Sequence, residues 1–241
     1  MTETQYDSIA PWYDAFVRSE LVPDHFVLSH LFELLGDVQG LYICDLACGQ
    51  GRLARELAKR GARVVGIDIS AKLLAIAQGD EGVEPLGISY LLDDAQTLYA
   101  IGDDAFDGVV CHMALMDIPN VEATLQTAWR ILRPGGWFVF TITHPCFEAP
   151  HSTWITQTDR RTSRVIHNYF GEVYWRSKNV EGLRGKVGAY HRTLSTYVNT
   201  TIRAGFTIER MAEPRATDGV IDRIPGYAVV PGFLMVLCRK G

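Results

Sequence analysis

Two carboxylates and two glycines stand at spacings that suit a nucleoside. Asp45 ends the apolar run Leu41, Tyr42, Ile43, Cys44, and Asp68 ends a second run, Val64, Val65, Gly66, Ile67, with Gly49 and Gly51 between them. Gly49 and Gly51 permit a tight turn and let a ligand lie against bare main chain. Asp68 follows Gly51 by 17 residues, where an acidic side chain at the end of a second strand accepts hydrogen bonds from ribose hydroxyls. Asp45 would repel a pyrophosphate and attract a cation. Gly49-x-Gly51-x-x-Ala54 nevertheless satisfies the dinucleotide pattern G-x-G-x-x-G/A, so on these residues alone a nicotinamide cofactor stays open.

Further along, His144 and His191 are the candidate general bases for removing a proton from a hydroxyl or amine, and Arg192 could hold a carboxylate in a bidentate pair. His144, Cys146 and His151 lack a standard ligand spacing, so no metal is expected.

The elements that must position these groups follow from the apolar patterning. The two runs read as buried parallel strands, joined by a helix whose stripe is Leu53, Leu57 and Ala58. A third strand is predicted over 88–92, with Asp93, Asp94 and Ala95 after it, and a fourth over 106–111, leading into His112 and Met113. A helix over 121–132, the turn Leu132-Arg133-Pro134-Gly135-Gly136 and a fifth strand over 137–143 come next. About fifty residues then intervene before a helix over 196–204, an unusually long connection. An Ala204-Gly205-Phe206 turn leading into a strand that reaches Met211, and a strand over 231–239, end the pattern.

Within that insertion, 165–175 and 186–194 have the composition of hairpin arms. Trp154, Tyr169, Phe170, Tyr174, Trp175 and Tyr190 suggest a mostly apolar or aromatic acceptor pocket, with Arg164, His167, His191 and Arg192 as polar contacts. At the other end, Tyr6, Ile9, Trp12, Tyr13 and Phe16 form an aromatic stripe at helical spacing, and Pro23 and Asp24 start a helix over 25–35 that Gly36 stops.

Composition sets the class. The 241 residues are 47% hydrophobic and 21% charged, enough for one α/β core. The net charge is −5, and the basic residues cluster only at Arg160, Arg161 and Arg164, which argues against a nucleic-acid partner. With no long apolar run and no leader-like start, a cytoplasmic protein without a membrane partner is expected. The five cysteines form no C-x-x-C pair and read as reduced core thiols. Oligomeric state is not legible.

The strings DLACGQG (45–51), DDA (93–95), HMALMDIPN (112–120) and LRPGG (132–136), with the Y-D-x-x-A-x-x-Y-D start at Tyr6, together resemble class I S-adenosylmethionine-dependent methyltransferases of the small-molecule type. The resemblance implies a Rossmann-like three-layer αβα sandwich with seven strands in the order 3-2-1-4-5-7-6, strand 7 antiparallel. It further implies a single domain over 1–241: an N-terminal helical lid (1–40), a cofactor-binding core (41–145), a β-rich cap (146–195) and closing elements (196–241).

It assigns S-adenosyl-L-methionine, leaving as S-adenosyl-L-homocysteine, to Tyr13, Asp45, Ala47, Gly49, Gly51, Asp68, Ile69, Asp94, Ala95, His112 and Met113, with Asp93 an equal candidate for the place of Asp94. Trp12, Tyr169, Tyr190 and Arg192 are the expected acceptor contacts, and His144 or His191 the base. Methyl transfer to a small molecule follows, oxygen ahead of nitrogen. A nicotinamide-dependent oxidoreductase and a non-catalytic S-adenosylmethionine sensor are the alternatives.

Overall fold

The structure is a computed structural model that describes residues 4–19, 25–158 and 162–241. The predicted helix start at Pro23 and Asp24 and the Arg160-Arg161 pair lie outside the described residues.

A short 3-10 turn (Asp7–Ile9) leads into α1 (Ala10–Arg18), and α2 (His25–Leu35) follows. The core then alternates β1 (Tyr42–Leu46), α3 (Arg52–Lys59), β2 (Arg63–Asp68), α4 (Ala71–Val83), β3 (Ser89–Leu92), β4 (Phe106–His112), α5 (Val121–Ile131) and β5 (Leu132–Thr143). The insertion holds β6 (Thr153–Thr156), β7 (Thr162–Val165), β8 (Tyr174–Trp175), α6 (Leu183–Lys186) and β9 (Ala189–Tyr190). The chain closes with α7 (Leu194–Arg203), β10 (Phe206–Ala212), α8 (Asp218–Arg223) and β11 (Phe233–Lys240).

The main sheet runs β3-β2-β1-β4-β5-β11-β10, with β11 antiparallel to both neighbours. Counting only strands of that sheet, this is the expected order 3-2-1-4-5-7-6. Successive residues of a strand face opposite sides, and the core divides accordingly. Cys44, Val109 and Phe138 pack with Leu125 of α5 and Tyr197 of α7. Ile43, Val110 and Val139 pack on the other side with Leu31 of α2 and Leu57 of α3. Side-chain caps fix where three helices begin: Ser70 Oγ accepts from the Leu73 N–H at 3.2 Å, Asn120 Oδ1 from Ala123 at 3.0 Å and Thr193 Oγ1 from Thr196 at 3.2 Å.

Two local expectations are corrected. The L-R-P-G-G turn lies within β5, because Leu132 already pairs with Phe106 before the register shifts and pairing resumes at Gly108 with Trp137. Gly135, at φ +72°, supplies the left-handed residue in the intervening bulge. The predicted hairpin arms 165–175 and 186–194 meet in only two pairs, Tyr174 with Tyr190 and Trp175 with Ala189. A turn closed by the Gly171 N–H on the Asn168 carbonyl, with Asn168 at φ +50°, breaks the first arm. The longer ladder joins β6 to β7. The five cysteines are free thiols, and all but Cys146 are buried.

Candidate active site

Two cavities open at the C-terminal edge of the parallel strands, where ligands bind in open α/β sheets. The first, about 150 Å³, is walled by the N-terminal turn and α1, the β1–α3 loop, the end of β2 and the segment after β4. The second, about 420 Å³, lies between the insertion, the end of β5 and α7.

The β1–α3 loop shapes the first cavity by backbone conformation. Ala47, Gly49 and Gly51 have φ of +61°, +56° and +82°, a region that costs an L side chain strain. The Gly49 N–H donates to Asp68 Oδ2 at 2.7 Å, so the end of β2 holds the loop in place. Gly51 has a different task from the one expected: it is absent from the cavity wall, and a Cβ there would collide with the Tyr90 ring.

Asp45 lines the cavity at 1% exposure, and its Oδ2 has no hydrogen-bond partner among the described residues. Burial pushes its carboxyl up to about 7; the Ala54 N–H opposes the rise and the nearby Asp68 adds to it. Burial likewise raises Asp68 to about 6, against the pull of the Ser70 and Gly49 N–H groups. Asp117, Asp45 and Asp68 give the wall three carboxylates. An orphaned buried carboxylate in such a wall fits a ligand with a positive charge and disfavours a pyrophosphate. The sulfonium and ammonium of S-adenosylmethionine meet that condition.

Tyr13, Ala47, Gly49, Ile69, His112 and Met113 line this cavity. His112 Nδ1 lies 2.6 Å from Thr141 Oγ1, and Met113, at φ +56°, donates its N–H to the Thr141 carbonyl at 2.9 Å, so β5 sets this edge of the wall. Asp94 and Ala95 do not reach the cavity. The Asp94 carboxylate is occupied by the Gln96 N–H and side-chain amide, and Ala95 is core. Asp93 is no better placed: its oxygens accept from the Asp94 and Ala100 N–H groups.

His144 is corrected as a base candidate. It is 2% exposed, lines neither cavity, and both ring nitrogens are engaged: Nε2 with Glu213 Oε1 at 2.9 Å, Nδ1 accepting the Cys146 N–H at 3.2 Å. Burial lowers its pKa, with Glu213 acting the other way. His191 does line the second cavity. Its Nε2 lies 2.7 Å from the Tyr169 carbonyl and must donate to it, so in the neutral imidazole the lone pair is on Nδ1.

Arg192 cannot grip a ligand in the way expected. Its guanidinium donates to the carbonyls of Leu115, Ile118 and Pro119 at 2.7–2.9 Å and so clamps the loop after β4. Tyr169 and Trp12 line neither cavity. The Tyr169 hydroxyl accepts the Leu194 N–H at 3.0 Å, and Trp12 stacks on Phe16 beneath the Lys186 ammonium. Tyr190 lines the second cavity, with Trp175 and Tyr197. The wall is more polar than the aromatic count suggests, because Trp154 packs on Arg164 and Tyr227, and Phe170 is exposed.

Two functional candidates were missed. Asp117, within the 112–120 string, pairs with Arg184 of α6 and accepts from the Tyr6 hydroxyl at 3.1 Å. Burial raises the Asp117 pKa, while Arg184 and Tyr6 draw it down. Asp117 lines the first cavity and Arg184 the second, so their pair is part of the partition. Among the described residues no group of three or more His, Cys, Asp or Glu side chains is placed to hold a metal, and no helix is long and apolar enough to cross a membrane.

A family model described as "Methyltransferase domain" matches residues 44–140. A crystal structure of an S-adenosylmethionine dependent methyltransferase from Mesorhizobium loti is 34% identical, with a TM-score of 0.76 over 89% of this chain and 98% of that one. Ubiquinone biosynthesis O-methyltransferases are also similar: 32% identical over 133 residues in Chromobacterium violaceum and 34% over 141 residues in an Azoarcus species. These alignments cover 54% and 57% of this chain, and the chain spans 56% and 60% of those relatives' own length.

Proposed function

Because the chain belongs to the class I S-adenosylmethionine-dependent methyltransferases, we propose that it moves a methyl group from S-adenosylmethionine in the first cavity to an oxygen of a small molecule in the second. The observation that carries the donor assignment is Asp45, a buried carboxylate with an unpartnered oxygen in the cavity wall. Oxygen as the acceptor atom is favoured by the likeness to the ubiquinone biosynthesis O-methyltransferases, which extends over 54% and 57% of this chain.

Asp45 would sit against the cationic methionine portion of the donor, and Ala47 and Gly49 would let it lie along bare main chain. Asp68, already holding the Gly49 and Ser70 N–H groups, keeps lone pairs for a ribose hydroxyl. The N-terminal turn and α1 act as the lid, with Tyr6 and Tyr13 forming the cavity's outer wall. The donor brings a methyl group already activated by its sulfonium. The protein therefore has to align, exclude water and take up one proton. His191 is the base: the Tyr169 carbonyl fixes its tautomer and its Nδ1 lone pair is available in the acceptor cavity. The insertion is the cap that selects the acceptor.

Calorimetric titration with S-adenosylmethionine, S-adenosylhomocysteine and NAD tests the donor. Binding of the first two and not the third is expected, and the reverse would sink the assignment. Incubation with labelled donor and a metabolite extract, followed by mass spectrometry, then identifies the methylated acceptor; methylated amines in place of ethers or esters would overturn the choice of oxygen.

A further inference from the structure

The two cavities have opposite electrostatic character. The first has three carboxylates in its wall against the single guanidinium of Arg52. The second is lined by four permanent cations, Arg164, Lys178, Arg184 and Arg192, against the single carboxylate of Glu148. Two of those cations are spent on the protein. Arg164 donates from Nε to the Phe147 carbonyl and from Nη2 to Glu148 Oε2, and Arg192 serves three carbonyls.

Arg184 keeps one edge of its guanidinium unspent, and the Lys178 ammonium is unspent too. Arg184 makes both of its protein contacts, to Asp117 and to the Gly188 carbonyl, through Nη1. Its Nε and Nη2 have no hydrogen-bond partner among the described residues, and this edge carries two parallel N–H groups. Two parallel donors match the two oxygens of a carboxylate. Asp117 fixes the other edge, so the fork is held in one orientation. Lys178, exposed on the rim, has no ion-pair or hydrogen-bond partner among the described residues.

We infer that the acceptor carries a carboxylate, held side-on by Nε and Nη2 of Arg184, with the Lys178 ammonium as a second contact. This rests on the assignment of the second cavity to the acceptor. The groove between Tyr190, Trp175 and Tyr197 then receives the acceptor's apolar body, and the charge decides which of several aromatic molecules is retained.

The test is calorimetric titration of the full chain, saturated with S-adenosylhomocysteine, with benzoate, benzyl alcohol and phenyl phosphate. Benzoate is expected to bind at least about tenfold more tightly than benzyl alcohol, a difference of about 1.4 kcal/mol. Arg184→Gln should abolish that preference, and Lys178→Ala should weaken benzoate about two- to fivefold. Lys178 is exposed, so its replacement reads the charge effect even where Arg184→Gln disturbs the Asp117 side of the wall. Equal binding of benzoate and benzyl alcohol, or a preference that survives both substitutions, overturns the inference. Tighter binding of phenyl phosphate than of benzoate overturns the carboxylate assignment. Failure of S-adenosylhomocysteine to bind would instead remove the donor assignment, because benzoate is then titrated without it and its preference over benzyl alcohol is read separately.

Discussion

Asp117 and Arg184 form an ion pair that joins the walls of two cavities, the carboxylate lining the acidic one and the guanidinium lining the basic one. Tyr6, from the N-terminal turn, donates to the same carboxylate. One side chain thus connects the N-terminal turn, which lines the first cavity, with the insertion that lines part of the second. Breaking it exposes a half-buried charge on each side.

Asp45 should make the ligand-free protein less stable as pH rises. Its folded-state carboxyl, at about 7, lies above that of an unfolded Asp, near about 4. Between those values the folded chain holds a proton that the unfolded chain has lost, so stability falls as pH rises through that window. Asp45→Asn is expected to raise the ligand-free Tm at pH 7.5 and to weaken S-adenosylmethionine about tenfold or more. Differential scanning calorimetry and titration calorimetry on the same two proteins check both halves. A variant that binds the donor as tightly as wild type removes the charge argument.

Asp7 should act in the opposite sense. Burial tends to raise its carboxyl, but the Thr4 and Lys72 N–H groups and the Ser70 and Thr4 hydroxyls hold it down at about 2. Its contribution is complete above the pKa of an unfolded Asp and is lost as pH falls from about 4 toward about 2. Asp7→Ala should cost about 2 kcal/mol at pH 7, with the gap to wild type closing near pH 2. Urea melts at several pH values measure this, and a constant gap would show that the ionised form is not what matters.

The two histidines should separate cleanly. His191→Ala is expected to lower the single-turnover rate about 10²–10⁴-fold with donor affinity unchanged. His144→Ala should lower Tm, through loss of its buried contacts with Glu213 and the Cys146 N–H, while sparing the rate of the folded enzyme. Rapid-quench assays under donor saturation decide between them, and the opposite pattern would return His144 to the role of base.

Arg192→Met should leave the carbonyls of Leu115, Ile118 and Pro119 without their donor, at a cost of about 2–3 kcal/mol. The same loop carries Asp117, so S-adenosylmethionine affinity should fall several-fold alongside Tm. Unchanged donor affinity in a destabilised variant would confine Arg192 to the fold.

What could be read from the chain was what lies close together along it. The strand ends at Asp45 and Asp68 and the glycine turn between them form one local unit, and the apolar runs placed the parallel strands apart from the start of β5. The partition could not be read, since Arg184 and Asp117 are 67 residues apart and meet only through the path of the insertion. Gly51 failed for the same reason, its neighbour Tyr90 belonging to another strand. Asp94 and Arg192 have the residue types that bind ligands, yet Gln96 and three carbonyls had prior claim to them. Those partners are visible only in three dimensions. The hairpin arms were misplaced because composition marks extended segments without saying which two will pair.

The anchorage of Asp7 on Ser70 and Lys72 also orders the molecule's assembly. A ribosome releases residues 4–19 long before the start of α4, and domains form from the N-terminus as synthesis proceeds. The Asp7–Ile9 turn lacks its Ser70 and Lys72 partners until α4 has emerged and capped itself on Ser70. Residues 4–19 therefore gain these contacts only after β1, β2 and the start of α4 have been made, and nascent chains halted before Lys72 would carry Tyr6 and Tyr13 as loose aromatics.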